Sequence, residues 1–491
     1  MDNRHDLELI LRSRIPIIVI QSHEEHRILH LLGTIGEKFN KPLFKWSVTE
    51  GFQFARFDID GDTQHNEPKE VLEHIKAERQ AGIYVLLDFH HYINDPVHIR
   101  LVKDIALDHS KVARYVVLLS YKLDLPPELR HFSADFELAL PSEKELNSLV
   151  HEVAKEWASE SKGERVKADP EATRLLIRNL AGLTHSDAKR LVRNAIYYDG
   201  AITHSDLSDV MEAKYKLLSG KQTLAFEHET SQFSQVGGLK NLKRWLEDRR
   251  QIVMGKKGNA NLDMPKGILL LGVQGCGKSL AARAVAGVFA APLLRLDMGA
   301  LFNKYYGESE RNIREALKIA DTMAPCVLWI DEVEKGLSAE DDDGPSRRIF
   351  ATMLTWMAEK DTAVFIVATA NDMSLLPPEF VRKGRFDEIF FVDLPDADTR
   401  GIILKIHMSN RSLNPREFDV QKLVHASDGF SGAELEQAVV SALYRAHARD
   451  ELVSTDHILT EIERTQPLSV VMAEHVDTLR AWAADRTVPA H

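Results

Sequence analysis

The run GILLLGVQGCGKSLAARAV, residues 267–285, decides the fold. Ile268–Leu271 is a short aliphatic block bounded by glycine, the pattern of a strand buried on both faces. Gly272, Val273, Gln274, Gly275, Cys276, Gly277, Lys278 and Ser279 then fit Gly-x-x-x-x-Gly-Lys-Ser, and a helix is expected to open near Leu280. Glycines let consecutive backbone N–H groups turn inward around a phosphate, and the helix amino terminus adds a favourable dipole. In this pattern Lys278 reaches the β- and γ-phosphates of a nucleotide, and the Ser279 hydroxyl holds Mg2+. Further on, CVLWIDE (326–332) ends an aliphatic strand in Asp331 and Glu332. Packing gives a buried strand no reason to end in adjacent carboxylates, whereas a nucleotide site does. Asp331 would orient the hydrated metal, and Glu332 would act as general base on the attacking water.

The whole chain is compatible with that reading. At 491 residues, 44% hydrophobic and 28% charged, it has an ordinary globular balance. One domain per roughly 150 residues would suggest about three domains. A formal charge of −12 argues against a surface that clings as a whole to nucleic acid or anionic lipid, leaving at most a local basic groove for that role. The two cysteines, Cys276 and Cys326, offer no disulfide framework, so a reducing cytoplasm is expected. Charges are scattered through MDNRHDLELILRSRIP, unlike a signal peptide, and the aliphatic runs fall far short of the ~20 residues needed to span a bilayer.

Ile15–Ile20, Tyr84–Leu87, Tyr115–Leu119, Ile268–Leu271, Val327–Ile330 and Ala363–Val367 read as buried parallel strands separated by amphipathic helices. Residues 142–218 and 398–463 read almost wholly as helices, with Asp169-Pro170 a helix start, while 219–235 is polar and reads as a linker. The pattern also repeats. IPIIVI then KPLFKW in the first half parallels GILLLG then APLLRL in the second, and YVLLDF (84–89) parallels VLWIDE (327–332). Offsets are 250 for Pro42/Pro292, 243 for Asp88/Asp331, 251 for Pro126/Pro377, 254 for Pro141/Pro395 and 247 for Gly182/Gly429. Five matches in one order at nearly constant offset point to tandem duplication, so two copies replace the three-domain prior.

VGGL (236–239), the loop at 272–279, KYYGESE (304–310), WIDE (329–332), TAND (369–372), RKGRFDE (382–388) and DGFSGAELE (428–436) stand in the order typical of AAA ATPases, which the chain resembles from about Phe233 onward. Over its whole length it resembles the AAA group named after a hypothetical chloroplast open reading frame, through GVQGCGKSLAARAVAG, IDEVEKG, TWMAEK and RAWAADRTVPA. The resemblance implies an α/β fold: an AAA+ P-loop parallel sheet with a helical lid, preceded by a degenerate copy of the same architecture. The expected divisions are 1–141 (degenerate α/β), 142–218 (lid-like), 219–235 (linker), 236–396 (catalytic α/β), 397–465 (lid) and 466–491 (tail helix).

It further implies Mg2+-dependent ATP hydrolysis in a homo-oligomeric ring, expected to be a hexamer, that remodels or threads a protein partner recognised through residues 1–220. The alternative is an ATP-switched scaffold that threads nothing, and a nucleic-acid remodeller is a weaker third. By the same resemblance, Asn371 is the polar sensor of the γ-phosphate or water. Arg382 and Arg385 are arginine fingers for a neighbouring subunit. Val236 and Gly237 grip adenine, although Gln235 stands where the family often has an acid. Gly432 and Ala433 bring the lid close to the nucleotide. Lys304, Tyr305 and Tyr306 match a pore loop, with packing at a helix start as the other reading.

The first copy has QSHEEHR (21–27) in place of the loop, with no glycine or lysine and with two glutamates where phosphates would lie. On this alignment Asp88 is kept and Phe89 replaces the catalytic glutamate, while Lys383-Gly384-Arg385 has no counterpart, so no ATP binding is expected there. His23, His26, His90 and His91 show no four-ligand metal spacing, and the HE-x-x-H protease pattern is absent. Glu340–Asp343 reads as a solvated acidic loop. Cys276 at a helix amino terminus suggests a lowered thiol pKa.

Overall fold

The aliphatic runs assemble into two sheets with one strand order. The first runs Gly51–Phe54, Leu43–Ser47, Gly82–Leu87, Arg114–Ser120, Ile17–Gln21, Ser133–Phe136. The second runs Leu224–Glu227, Leu293–Leu296, Cys326–Ile330, Val364–Ala370, Gly267–Gly272, Glu388–Val392, Val488–Pro489. These come from a computed structural model that describes residues 3–55, 65–161, 163–218, 224–227, 236–253, 262–301, 308–336, 345–373, 376–382 and 384–491. Lys304, Tyr305, Tyr306 and the acidic run 340–343 lie outside the described residues. In each sheet an antiparallel edge strand precedes parallel strands ordered 2-3-4-1-5 by their place in the chain. Apolar clusters cover both faces of both sheets, which is why the central strands are continuous aliphatic runs rather than alternating ones.

Backbone hydrogen bonds set the correspondence between the copies. Val116 N donates to Pro16 O at 2.8 Å and Ile366 N to Lys266 O at 3.0 Å; Lys41 N donates to Gly36 O at 2.8 Å and Ala291 N to Ala286 O at 3.1 Å. Each first-copy residue matches one 250 further on, as do Asn40 and Ala290, both left-handed. In the third strand, Ile83 N bonds Pro42 O and Val327 N bonds Pro292 O, so the spacing becomes 244. Asp88 therefore corresponds to Glu332, not to Asp331, and both are left-handed, with φ 51° and 46°. Leu87 stands at the place of Asp331. The sequence pairing slid by one because no side chain in two aliphatic runs marks the register, whereas the hydrogen bonds do.

The loss of the phosphate loop also takes a definite form. The helix Glu25–Lys38 starts one turn earlier than Lys278–Phe289, so residues 25–27 are helical where 275–277 form a loop. Ile28, fully buried, occupies the place of Lys278. The Glu24 carboxylate is buried against Arg27 at 3.1 Å and accepts from Ser186 N at 3.1 Å.

Helices Glu143–Glu160, Pro170–Leu180, His185–Asp199 and His204–Leu218 follow, with Asp169 capping the second by accepting from Glu171 N. Residues 1–144 with 184–189 form one compact unit, and 145–183 with 190–491 the other. Most of the lid-like segment thus belongs to the same compact unit as the carboxyl-terminal part. Fully buried Lys214 donates to Asn179 O at 2.9 Å and Ala181 O at 2.6 Å, burial pushing its pKa down to about 8. Gly182, left-handed at φ 83°, leaves no room for a Cβ, which would lie 2.8 Å from Thr322 O. The linker expectation is corrected as well: Leu224–Glu227 is the edge strand of the second sheet, because Leu224 and Phe226 alternate inward opposite Leu296 and Leu294. The tail is not helical to its end. After Ala473–Ala483 it returns as Val488–Pro489 beside Glu388–Val392. Among the described residues, no helix is long and apolar enough to cross a membrane. Gly182→Ala is expected to lower stability by about 1–3 kcal/mol, through left-handed strain and the clash with Thr322, as measured by urea unfolding.

Candidate functional site

Gly272 ends its strand where a Cβ would lie 2.0 Å from Val392 O, so only glycine lets the neighbouring strand lie this close. The chain then turns through left-handed Gly275 (φ 78°) and Gly277 (φ 89°) into a helix that begins at Lys278, two residues before the expected Leu280. No side chain caps that helix, which leaves its first-turn N–H groups for a ligand. Lys278 folds back so that Nζ donates to Gly272 O at 2.8 Å and Val273 O at 2.9 Å, and burial pushes its pKa down to about 8. Burial likewise pushes the Cys276 thiol up to about 12. This is opposite in direction to the lowering expected at a helix terminus, because desolvation disfavours the thiolate.

The strand Cys326–Ile330 delivers the two carboxylates. Asp331 Oδ1 accepts from Thr369 Oγ1 at 2.8 Å, and Oδ2 pairs with Arg295 at 3.2 Å. Glu332 sits in a left-handed conformation, its N–H donating to Thr369 Oγ1 at 2.9 Å. Its carboxylate accepts from Asn371 Nδ2 at 3.1 Å and pairs with Lys335. Behind them Glu334, held above the usual carboxylate range by burial, accepts from Asn371 N at 2.9 Å.

These groups face a cavity of about 610 Å³. Of the predicted site residues, Val236, Gly237, Gln274, Gly275, Cys276, Gly277, Lys278, Ser279, Leu280, Asp331, Glu332, Asn371, Gly432 and Ala433 line it. Gly272 and Val273 are not in the lining; their carbonyls hold Lys278. The lid closes the far side: Ala433 N donates to Gly275 O at 3.0 Å, and a Cβ on Gly237 would meet Ile403 at 2.7 Å. Arg382, exposed, and Arg385, half-buried, do not line this cavity; among the described residues Arg385 Nη1 is buried without a hydrogen-bond partner. Sequence reasoning missed Arg283, Thr369, Ile403, Ile406, His407, Asn410 and Glu436, which also line the cavity. Ile403, Ile406, His407 and Asn410 share one face by helical spacing, a signal that was there to be read. Burial holds His407 below the ordinary imidazole range, with Glu436 at 3.7 Å opposing the shift.

A phosphate loop and a helical lid meeting over one cavity, with strand-end carboxylates facing in, are the arrangement of a P-loop ATPase of the AAA class. Residues 268–394 match the family described as ATPase family associated with various cellular activities (AAA). Residues 3–138 and 144–221 match the N-terminal and second domains of SpoVK-like AAA ATPases. The AAA domain-containing protein ycf46 of Pyropia yezoensis is 35% identical over 99% of this chain and 98% of its own. That of Guillardia theta is 33% identical over 98% and 94%. The proteasome-activating nucleotidase of Aeropyrum pernix is 35% identical over 53% of this chain and 66% of its own. The chain belongs to the AAA ATPases, among the ycf46 AAA domain-containing proteins, and is an ATPase.

Lys278→Ala is expected to weaken ATP binding about 10- to 100-fold in equilibrium titrations, by loss of charge-assisted hydrogen bonds, with no second site appearing from the first copy. Because phosphate charge restores the proton that burial removes from Lys278, ATP binding should take up protons at alkaline pH, and Lys278's share of that uptake should fade as the pH falls to neutral. Calorimetry in buffers of differing ionisation enthalpy measures this.

Proposed function

We propose that this chain hydrolyses ATP with Mg2+ in a ring of identical copies, six as in other AAA ATPases, and uses the cycle to remodel or thread a protein partner bound through residues 1–220. The observation that carries the ring is the position of Arg382 and Arg385: neither lines the cavity of its own chain, and Arg385 keeps a buried, unpartnered Nη1. A finger of that kind has work to do only in a neighbour's site, where it offsets charge on the transferring phosphoryl group.

Within one chain the geometry supports the following roles. Ser279 and Asp331 offer hard oxygen donors to one cavity, which suits Mg2+ completed by phosphate oxygens and water. The metal would supply charge neutralisation between the β- and γ-phosphates. Lys278 would exchange two carbonyls for phosphate oxygens. Glu332, aimed by Asn371 and by its left-handed backbone, would take the proton of the attacking water. Val236 and Gly237 would hold adenine against the lid. Two free cysteines fit a reducing cytoplasm. The nucleotidase relatives favour action on a protein over action on nucleic acid.

Glu332→Gln should keep ATP binding while turnover falls about 10²- to 10⁴-fold. Arg385→Ala should also be nearly inactive. Mixing the two variants should restore turnover, because one supplies an intact base and the other an intact finger to the same interface; no recovery on mixing would defeat the ring. With turnover intact, loss of partner remodelling in Tyr305→Ala supports threading, and an unchanged phenotype supports the ATP-switched scaffold.

A further inference from the structure

Glu227 lies on the strand Leu224–Glu227, within the segment that joins the two halves of the chain, and it reaches the catalytic centre through two arginines. Its carboxylate pairs with Arg283 at 3.4 Å and with Arg295 at 3.8 Å. Arg295 lies over the Trp329 ring, 4.9 Å from its centroid, and its other end pairs with Asp331 at 3.2 Å. Arg283 lines the nucleotide cavity directly. Glu227 and Asp331 are each only 18% exposed, so water screens these pairs less than it screens surface pairs. One guanidinium is thus shared between an acid on the joining strand and the acid on the metal side of the site.

We infer that Glu227 and Arg295 are positioning residues that set the metal affinity of the ATPase site. Arg295 holds Asp331 Oδ2 while Thr369 holds Oδ1, which fixes the plane of the carboxylate, but its charge opposes a cation at the same group. Glu227 draws part of that charge away. A docked strand therefore favours metal binding, and a strand pulled out of the sheet leaves Arg295 wholly on Asp331 and weakens it. Residues 1–218 connect to the catalytic part through this segment, so a partner bound there has a route to the metal requirement of hydrolysis.

This rests on the reading of Asp331 as the metal-side carboxylate. The test uses the full chain with a non-hydrolysable ATP analogue, titrated with Mn2+ by electron paramagnetic resonance, and the Mg2+ concentration for half-maximal turnover. Outer-shell partners of metal sites typically move affinity at least about tenfold. Glu227→Gln should weaken Mn2+ binding by about that factor, Arg295→Gln should tighten it, and in the double variant the Glu227 effect should vanish. Arg295→Lys, which keeps the charge but cannot span both acids, should not tighten Mn2+ binding as Arg295→Gln does. Analogue binding in EDTA, unchanged throughout, shows that each variant is folded. Shifts of the same sign in both single variants, additive shifts, or none would overturn the proposal. Asp331→Asn separates the two failures: if it loses Mn2+ while the other variants do not move, only the coupling is wrong, and if it binds Mn2+ as wild type does, the reading of Asp331 falls with it.

Discussion

The catalytic part depends on a change of direction made without side chains. Between Gly272 and Lys278 the backbone must leave a sheet so tight that a Cβ would strike Val392 O, pass through two left-handed residues, and start a helix whose amide donors face outward. Glycine at 272, 275 and 277 meets all three demands at once. What this turn leaves behind is a concave array of donors with a buried cation beneath it, and the rest of the site is arranged around that array. The strand-end carboxylates oppose it, the lid rests on it through Ala433, and the lysine is held in reserve by two carbonyls until a better acceptor arrives.

The first copy shows the same scaffold with that constraint removed. Its strands keep the 2-3-4-1-5 order and hydrogen bonds equivalent to those of the second copy, yet helix begins where the loop would be, and Ile28 fills the place of the lysine. An apolar residue there adds to the core, so the change can stabilise the domain while abolishing phosphate chemistry. The left-handed residue at the third strand end persists as Asp88. Sheet topology and catalysis are therefore separable: hydrophobic burial maintains one, and a handful of backbone torsions and charges maintains the other.

Around Asp331 and Glu332 the protein places counter-charges asymmetrically. Asp331 is shared with Arg295, and Glu332 is aimed by a neutral amide and a flexible lysine. A carboxylate restrained by a guanidinium is suited to holding a position, and one restrained by Asn371 is suited to accepting a proton. The arginine that serves Asp331 is itself held from the edge of the sheet by Glu227, so the edge strand Leu224–Glu227 belongs to the electrostatics of the site as well as to its packing.

The loop and strand-end residues that line the cavity were legible in the sequence, because a phosphate loop is a local object whose spacing is dictated by one turn and one ligand; the lid face of Ile403, Ile406, His407 and Asn410 was not read from it. The alternation of strands and helices and the duplication were legible for a similar reason, since burial on both faces demands aliphatic runs. Tertiary structure alone decided the rest. It set the register that pairs Asp88 with Glu332, which only interstrand hydrogen bonds can specify, and it drew Leu224–Glu227 into the sheet, because a four-residue strand carries too little periodicity to stand out from a polar segment. It also decided the state of Cys276, whose thiol burial pushes up, and the convergence of Glu227, Arg295 and Asp331, three charges that are far apart in the chain and share nothing until Leu293–Leu296 lies between Leu224–Glu227 and Cys326–Ile330.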